Sequence, residues 1–165
     1  MRVYPMKGGY APQLDRRGTG KLNADAPHAD ITRAIIGVAM KVHNVLGPGH
    51  REEVYQQAMN RQLAEAGLEA LDQVPVEVAL DDGGLLVYYL DLLVDQKVIV
   101  ELKALSHPVT NDDFAQVIDY LAATSYPVAL LLNFGRTRLE FRRIFPPKKI
   151  LAHRRRLWTK PASSL

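Results

Sequence analysis

Apolar residues recur with a helical period in three parts of the chain. Between residues 31 and 46 they repeat every three to four positions, which predicts a helix. This helix is predicted to begin near residues 25–30, with Asp25 as its cap, and to end at the glycine–proline–glycine stop 47–49. The same period predicts a second helix over residues 50–66.

The third helical stretch lies in the second half of the chain. Thr110 and Asp113 are spaced as a capping box, so the helix is predicted to begin there and to run to about Thr124. Gln116 and Tyr120 lie four positions apart within it. Side chains with this spacing share one face of a helix.

Short apolar runs between turn signals predict five strands. One covers residues 73–80, and two form a hairpin over residues 88–103 around a tight turn at 95–97. The almost purely apolar run 127–134 indicates a strand that is covered on both faces. The alternation of apolar and basic residues over 138–145 indicates an edge strand.

The hairpin is predicted to have one apolar face and one mixed face, because side chains alternate along a strand. The apolar face should point into a core and consists of Leu90, Leu92, Val94, Val98, Val100 and Leu102. The mixed face consists of Tyr89, Asp91, Leu93, Ile99, Glu101 and Lys103. A three-residue turn centred on Gln96 would place Asp91 directly opposite Glu101.

The predicted pairing of Asp91 with Glu101 is unfavourable unless a proton or a cation lies between the two carboxylates. Two like charges about 4 Å apart repel by roughly 4 kcal/mol at an effective dielectric near 20. Carboxylate oxygens at this spacing suit Mg²⁺ or Mn²⁺. Lys103 projects from the same face, two residues beyond Glu101. Two acids and a lysine that converge on one sheet face indicate metal-assisted hydrolysis of a phosphodiester bond.

The composition of the chain excludes several other classes. With 165 residues it is expected to be one domain with a hydrophobic core of its own. It has no cysteine, so disulfides, thiolate zinc sites and cysteine nucleophiles are excluded. The five histidines lack HExxH-type spacing. There is no apolar signal core at the start and no stretch long enough to cross a bilayer, so we expect a cytoplasmic location and no membrane partner.

The small net charge of +3 conceals an uneven distribution. Residues 1–22 contain five Lys or Arg against one acid, residues 136–165 contain ten against one, and the middle contains six against sixteen. We expect a flexible basic N-terminal arm over 1–24, a single domain over 25–146 and a basic tail over 147–165. Basic flanks around an acidic centre suit an enzyme of nucleic acid; the alternative is that they only improve solubility.

One ordered set of polar residues resembles the PD-(D/E)XK nuclease superfamily. It comprises a helix-borne acid, an acid and a Glu-x-Lys on adjoining strands, and a Gln-x-x-x-Tyr on a helix, here Glu52, Asp91, Glu101, Lys103, Gln116 and Tyr120. Residues 42–55, 98–104 and 131–135 are similar to a bacterial branch, the GxxExxR proteins. The resemblance covers about residues 30–145. Where the name of that branch has an arginine, this chain has Tyr55.

The resemblance implies an α/β fold, a three-layer α/β/α core of the restriction-endonuclease type with a mixed sheet. It implies that Asp91, Glu101 and the backbone carbonyl of Leu102 hold Mg²⁺ or Mn²⁺. Lys103 would orient or deprotonate the attacking water, or neutralise the charge that develops on the phosphoryl group. The alternatives are that Asp91 and Glu101 are solvated strand carboxylates and that Lys103 only forms a salt bridge with Glu101.

The resemblance also suggests roles for residues on the helices. Glu52 would reach the metal through water or position the nucleophile, with helix capping as the alternative. Gln116 would hold Lys103 or the scissile phosphate. Tyr120 would contact the substrate or the lysine, or would only pack in the core. Arg51, in the glycine-rich loop, would contact a phosphate.

Two functions follow from these patterns. The first is a Mg²⁺- or Mn²⁺-dependent nuclease that hydrolyses phosphodiester bonds, with DNA as the favoured nucleic-acid partner. The second is a catalytically silent module that keeps the nuclease fold and binds nucleic acid or regulates another protein. The acidic middle of the chain favours the second, because without a metal it repels a phosphate backbone. Either function allows an oligomer.

Overall fold

The computed structural model describes residues 25–151 of the chain. The predicted arm 1–24 lies outside the described residues, as do residues 152–165 of the predicted tail. The described part contains the helices α1 (Ala29–Leu46), α2 (Glu52–Glu65), α3 (Asn111–Ala123) and α4 (Lys148–Leu151). Its strands are β1 (Ala70–Ala79), β2 (Leu85–Val94), β3 (Val98–Lys103), β4 (Ala129–Asn133) and β5 (Glu140–Ile144).

The five strands form one mixed sheet in the order β1-β2-β3-β4-β5. β1, β2 and β3 follow one another as antiparallel hairpins, whereas β3 and β4 are parallel. Parallel neighbours need a crossover connection, and α3 supplies it. β5 pairs antiparallel with β4 and forms an edge of the sheet, as predicted. Because β3 and β4 are parallel, Lys103 at the end of β3 lies beside Asn133 at the end of β4.

Helices cover both faces of the sheet, and each face buries its own core. On one face α1 and α2 pack on the sheet through residues that include Ile35, Val42, Tyr55, Met59 and Leu63; we call this the α1–α2 core. On the other face α3 packs through Phe114, Val117, Ile118, Tyr120 and Leu121; we call this the α3 core. The prediction of an α/β fold with three layers is confirmed. Of the helices within residues 25–151, none is long and apolar enough to cross a membrane.

The helix ends agree with the sequence pattern in two of three predicted features. The capping box of α3 is present: the Thr110 side chain accepts from the Asp113 N–H, and the Asp113 carboxylate accepts from the Thr110 N–H. α1 ends at Gly47, which has a φ of 65° that favours glycine. The prediction of Asp25 as the cap of α1 is wrong, because the first helical carbonyl to accept a bond is that of His28.

The register predicted for the central hairpin is confirmed by its paired residues. From the turn outward, Val94 pairs with Val98, Leu93 with Ile99 and Leu92 with Val100. At the turn Asp95 and Gln96 have positive φ angles. The ladder ends at the pair of Leu92 with Val100, so Asp91 and Glu101 are the next residues of the two strands.

The alternation of side chains is interrupted at Asp91, and the predicted orientation of Leu90 is wrong. Strict alternation places Leu90 with Leu92, but Leu92 packs in the α1–α2 core and Leu90 in the α3 core. The β1–β2 ladder keeps its register on both sides of Asp91 and lacks only the pair of Gln73 with Asp91. Gln73 has a left-handed φ of 49°, which a residue other than glycine seldom adopts. This local kink resets the alternation of both strands.

The loop that follows β3 is fixed to the end of β4. Asn133 Oδ1 accepts from the N–H groups of Leu105 at 2.9 Å and Gly135 at 3.1 Å, and its amide donates to the His107 carbonyl at 3.0 Å. A Cβ on Gly135 would lie 2.4 Å from the Leu105 carbonyl oxygen, so only glycine fits there. These contacts hold the end of β3, from which Lys103 projects.

Candidate active site

Asp91 and Glu101 come together where β2 and β3 separate. Asp91 Oδ2 accepts a hydrogen bond from the N–H of Leu102 at 2.8 Å, which turns its carboxylate toward β3. There it is close enough to Glu101 for the two groups to share a hydrogen bond when one of them is protonated. The structure therefore brings the two predicted acids into contact.

Glu101 is a buried acid, with 3% of its surface exposed. Its pKa is raised from the ordinary 4.5 to about 8, first by burial and then by the negative charge of Asp91, while Lys103 acts in the opposite direction. Its Oε2 atom is buried and has no hydrogen-bond donor among the described residues. An ionised carboxylate can only accept, so two adjoining carboxylates are stabilised by a proton or a cation.

Lys103 connects Glu101 to α3. Its Nζ lies 3.1 Å from Glu101 Oε1 and donates to Gln116 Oε1 at 2.8 Å, and the Asp113 carboxylate is 3.9 Å away. Burial by itself lowers the pKa of Lys103, but the contact with Glu101 and the charges of Glu52 and Asp113 outweigh it, so the pKa is raised. Lys103 is therefore a cation at neutral pH.

Gln116 and Tyr120 continue the chain of contacts along α3. Gln116 Nε2 donates to the Tyr120 hydroxyl at 2.7 Å, and Gln116 Oε1 accepts the hydrogen bond from Lys103. Tyr120 therefore orients the amide group that contacts Lys103. Tyr120 is 4% exposed and packs edge-on against Tyr88. Burial, followed by the charge of Glu101, raises the pKa of Tyr120 to about 12, so the hydroxyl stays neutral. A substrate contact for Tyr120 stays a prediction.

Glu52 and Arg51 occupy the start of α2 beside the same group. Burial raises the pKa of Glu52, and the neighbouring Lys103 lowers it in part, which places the Glu52 carboxylate near the lysine. The Ala104 N–H lowers it as well, so Glu52 faces the start of the loop after β3. Arg51 is the exposed N-cap residue of α2 and has extended backbone. Its contact with phosphate stays a prediction.

A polar cavity of about 410 Å³ opens beside Asp91, between α2 and the kink in β1 and β2. Three glutamines that sequence analysis did not select line it, namely Gln56, Gln57 and Gln73. Gln73 donates to Gln56 at 3.4 Å, and Gln56 donates to the Asp91 carbonyl at 3.5 Å. Gln56 thus reaches the Asp91 backbone at the position where the ladder pair with Gln73 is missing. No signal in the sequence marks these residues, because the kink depends on the conformation of Gln73.

The sequence pattern of a known family matches this part of the chain. The pattern is that of the PD-(D/E)XK nuclease superfamily, and it covers residues 29–144, from the first residue of α1 to the last of β5. The chain belongs to the PD-(D/E)XK nuclease superfamily. No curated protein matches it. In this PD-(D/E)XK protein the predicted site residues Asp91, Glu101 and Lys103 lie in one connected group.

The group fits a divalent ion of the kind that PD-(D/E)XK nucleases generally use. Within residues 25–151, no set of three or more His, Cys, Asp or Glu side chains is arranged to hold a metal, so an ion here would need backbone or water ligands in addition to two carboxylates. The N–H of Leu102 points toward Asp91, and in an extended strand the carbonyl of the same residue leaves on the same side. The unpartnered Oε2 of Glu101 adds a further oxygen.

Tyr55 joins two segments that flank the site of this PD-(D/E)XK protein. It is completely buried, its hydroxyl donates to the Gly47 carbonyl at 2.6 Å, and the same oxygen accepts from the His50 N–H at 3.3 Å. Its ring stacks on Phe134, with centroids 4.7 Å apart, and the Phe134 N–H donates to the Lys103 carbonyl at 2.8 Å. Tyr55 therefore fixes the loop before α2 relative to the end of β3.

Tyr55→Phe is expected to lower the free energy of unfolding by about 1–3 kcal/mol, because the Gly47 carbonyl and the His50 N–H both lose their partner while the ring stack remains. Urea denaturation of the two proteins measures the difference. Tyr55→Leu, which also removes the stack, should be less stable than Tyr55→Phe. Equal stability of Tyr55→Phe and the unaltered protein would mean that the hydroxyl does not hold the loop.

Proposed function

We propose that the protein is a divalent-metal-dependent nuclease that hydrolyses phosphodiester bonds of DNA, and that it belongs to the GxxExxR branch of its superfamily. The proposal is carried by the buried contact of Asp91 with Glu101, in which one carboxylate oxygen has no donor within the described part of the chain, beside the ammonium of Lys103. One lysine cannot neutralise two adjoining carboxylates, so Glu101 keeps a proton at neutral pH unless a second cation takes its place. A divalent ion would complete the group.

The ligands of that ion would be Asp91, Glu101 and the backbone carbonyl of Leu102, with Mg²⁺ or Mn²⁺ as the ion. All of these ligands are oxygens, which both ions prefer. A bound divalent ion supplies Lewis-acid polarisation of the phosphoryl group. The Leu102 N–H, which donates to Asp91 Oδ2, orients one of the two carboxylates for this purpose.

Lys103 would act as a fixed positive charge. Its raised pKa favours this role over proton abstraction, because a general base must be neutral before it can accept a proton. The ammonium would orient the attacking water and stabilise the negative charge that develops on the phosphoryl oxygens. Gln116 would hold the ammonium, and Tyr120 would hold Gln116. Glu52 would position the water from the start of α2.

The test is incubation of the purified full chain with circular and linear DNA and with RNA, in Mn²⁺, in Mg²⁺ and in EDTA. We expect cleavage of DNA that requires a divalent ion and is lost in EDTA. Cleavage of the circular form would identify internal attack. Failure to cleave any of these substrates with either ion, or cleavage that survives EDTA, would contradict the proposal.

A catalytically silent nucleic-acid-binding module is the second candidate. It is favoured by the fact that each acid already has a protein partner on one oxygen: Lys103 on Glu101 Oε1 and the Leu102 N–H on Asp91 Oδ2. Salt-dependent binding of DNA in EDTA, without cleavage in either ion, would be the outcome that supports this candidate.

A further inference from the structure

The two flanks of the candidate site carry opposite charge. On the flank toward β1 and β2, the cavity of about 410 Å³ is lined by polar side chains only, four of them carboxylates: Glu52, Glu53, Asp72 and Asp91. Among residues 25–151, no lysine or arginine lines it. Glu53 and Asp72 lie outside the proposed metal and catalytic group, and a phosphate about 4 Å from either carboxylate would be repelled by roughly 4 kcal/mol at an effective dielectric near 20. This flank therefore disfavours the backbone of a nucleic acid.

On the flank toward β5, a second cavity of about 270 Å³ lies at the connection between β4 and β5. We call it the arginine cavity, and its lining residues are Arg136, Thr137, Arg138, Leu139, Glu140 and Arg142. Three guanidinium groups against one carboxylate leave a net charge of +2. A hydroxyl and guanidinium donors suit a ligand that is negatively charged and accepts hydrogen bonds.

The one acid of the arginine cavity is already occupied. Glu140 is 7% exposed; its Oε1 lies 2.9 Å from Arg142, and its Oε2 lies 3.7 Å from Arg136 and accepts from the Val109 N–H at 3.2 Å. Its charge is therefore directed into the protein. The Arg136 side chain keeps 42% of its surface exposed, and Arg138 is exposed as well. These two guanidinium groups remain accessible to a ligand.

The register of the sheet relates the arginine cavity to the candidate site. Glu101 pairs with Leu131, which pairs with Arg142, so these residues form one row across β3, β4 and β5. Residues opposite one another share a face of the sheet, so Arg142 starts from the same face as Glu101. Two strand spacings separate them, which is about 10 Å. The arginine cavity and the candidate site thus lie at the same end of the molecule.

We propose that the arginine cavity binds the sugar–phosphate backbone of the DNA substrate, so that the DNA leaves the candidate site over β4 and β5 and avoids the β1–β2 flank. This inference rests on the proposed function and adds the direction in which the substrate lies. Arginine suits the role because its planar fork can donate two hydrogen bonds to one phosphate. The opposite charge of the two flanks selects this direction over the other.

The test measures binding of a short labelled DNA duplex to the full chain in EDTA, by fluorescence anisotropy over a range of NaCl concentrations. Each phosphate contact adds about 0.9 to the slope of log affinity against log salt. We expect Arg138→Ala to lower the magnitude of the slope by about 1, and Arg136→Ala/Arg138→Ala to lower it by about 2. Because EDTA prevents metal-dependent hydrolysis, the measurement does not depend on cleavage.

Arg33→Ala is the matched control, since Arg33 is an exposed arginine on α1, which covers the other face of the sheet. It should keep the slope of the unaltered protein. Arg138→Lys should also keep most of the slope, because it retains the charge. An unchanged slope in the double variant, an equal loss in Arg33→Ala, or no DNA binding by the unaltered protein would each overturn the inference. If all variants show the expected slopes but the unaltered protein does not cleave DNA in Mn²⁺, only the proposed nuclease activity is contradicted.

Discussion

Lys103→Met is expected to lower metal-dependent cleavage of DNA by about 10²–10³-fold while the protein keeps its affinity for Mn²⁺. The substitution removes the ammonium that lies 3.1 Å from Glu101 and 2.8 Å from Gln116, and it leaves both proposed carboxylate ligands in place. Asp91→Asn and Glu101→Gln should each lower cleavage to a similar degree, and these two should also weaken Mn²⁺ binding. Single-turnover cleavage and titration calorimetry with Mn²⁺ measure the two properties separately.

Lys97→Met is the control for this series, because Lys97 is an exposed lysine in the turn of the same hairpin. It should cleave at the unaltered rate, which separates the role of Lys103 from a general effect of lost charge. Cleavage by Lys103→Met at the rate of Lys97→Met would contradict the assignment. Full Mn²⁺ affinity in Asp91→Asn and Glu101→Gln would contradict the proposal that these carboxylates bind the ion. It would not affect the role assigned to Lys103.

The residues of the site that sequence analysis selected share a simple spacing. Glu101 and Lys103 are two apart on a strand, and Gln116 and Tyr120 are four apart on a helix, so each pair faces one way in any fold that forms these elements. The turn at 95–97 sets the register that brings Asp91 to Glu101. Local periodicity and one turn length were therefore sufficient for the approach of Asp91 to Glu101 and for the shared face of Gln116 and Tyr120. The contact of Lys103 with Gln116 and the position of Glu52 depend on how the helices pack, and they were expected only from the family resemblance.

The features that sequence analysis missed depend on tertiary contacts. The kink at Gln73 has no pattern in the sequence, because a glutamine with positive φ is held there by its surroundings. The amide of Asn133 fixes a loop 28 residues before it in the chain through Leu105, and nothing near either residue predicts that pair. Tyr55 could be placed on the buried face of α2, whereas its hydrogen bond to Gly47 depends on how the loop folds back.

The metal-free protein is expected to lose stability as the pH rises from about 4.5 to about 8. The pKa of Glu101 is near 8 in the folded protein and near 4.5 in the unfolded chain, so in this window the folded state holds a proton that the unfolded state has released. Folding is then linked to proton uptake, and the free energy of unfolding falls as the pH rises, by on the order of a few kcal/mol. Urea denaturation in EDTA at several pH values measures the decline.

Glu101→Gln should remove most of this decline, because a neutral amide replaces the buried acid. In EDTA the variant should match the unaltered protein near pH 4.5 and exceed it in stability by on the order of a few kcal/mol near pH 9. Glu77→Gln, on an exposed position of β1, should leave the decline unchanged. Parallel pH dependence of Glu101→Gln and the unaltered protein would mean that Glu101 titrates at its ordinary pKa.

Saturating Mn²⁺ should narrow the difference in stability between these two proteins at high pH. An ion that binds only the folded state adds about 2.7 kcal/mol at a hundred times its dissociation constant, and Glu101→Gln should lack that gain. For an acid that serves only the fold, the difference would be the same with and without the ion. The narrowing would therefore connect the unpartnered Oε2 of Glu101 to metal binding in a measurement that requires no cleavage.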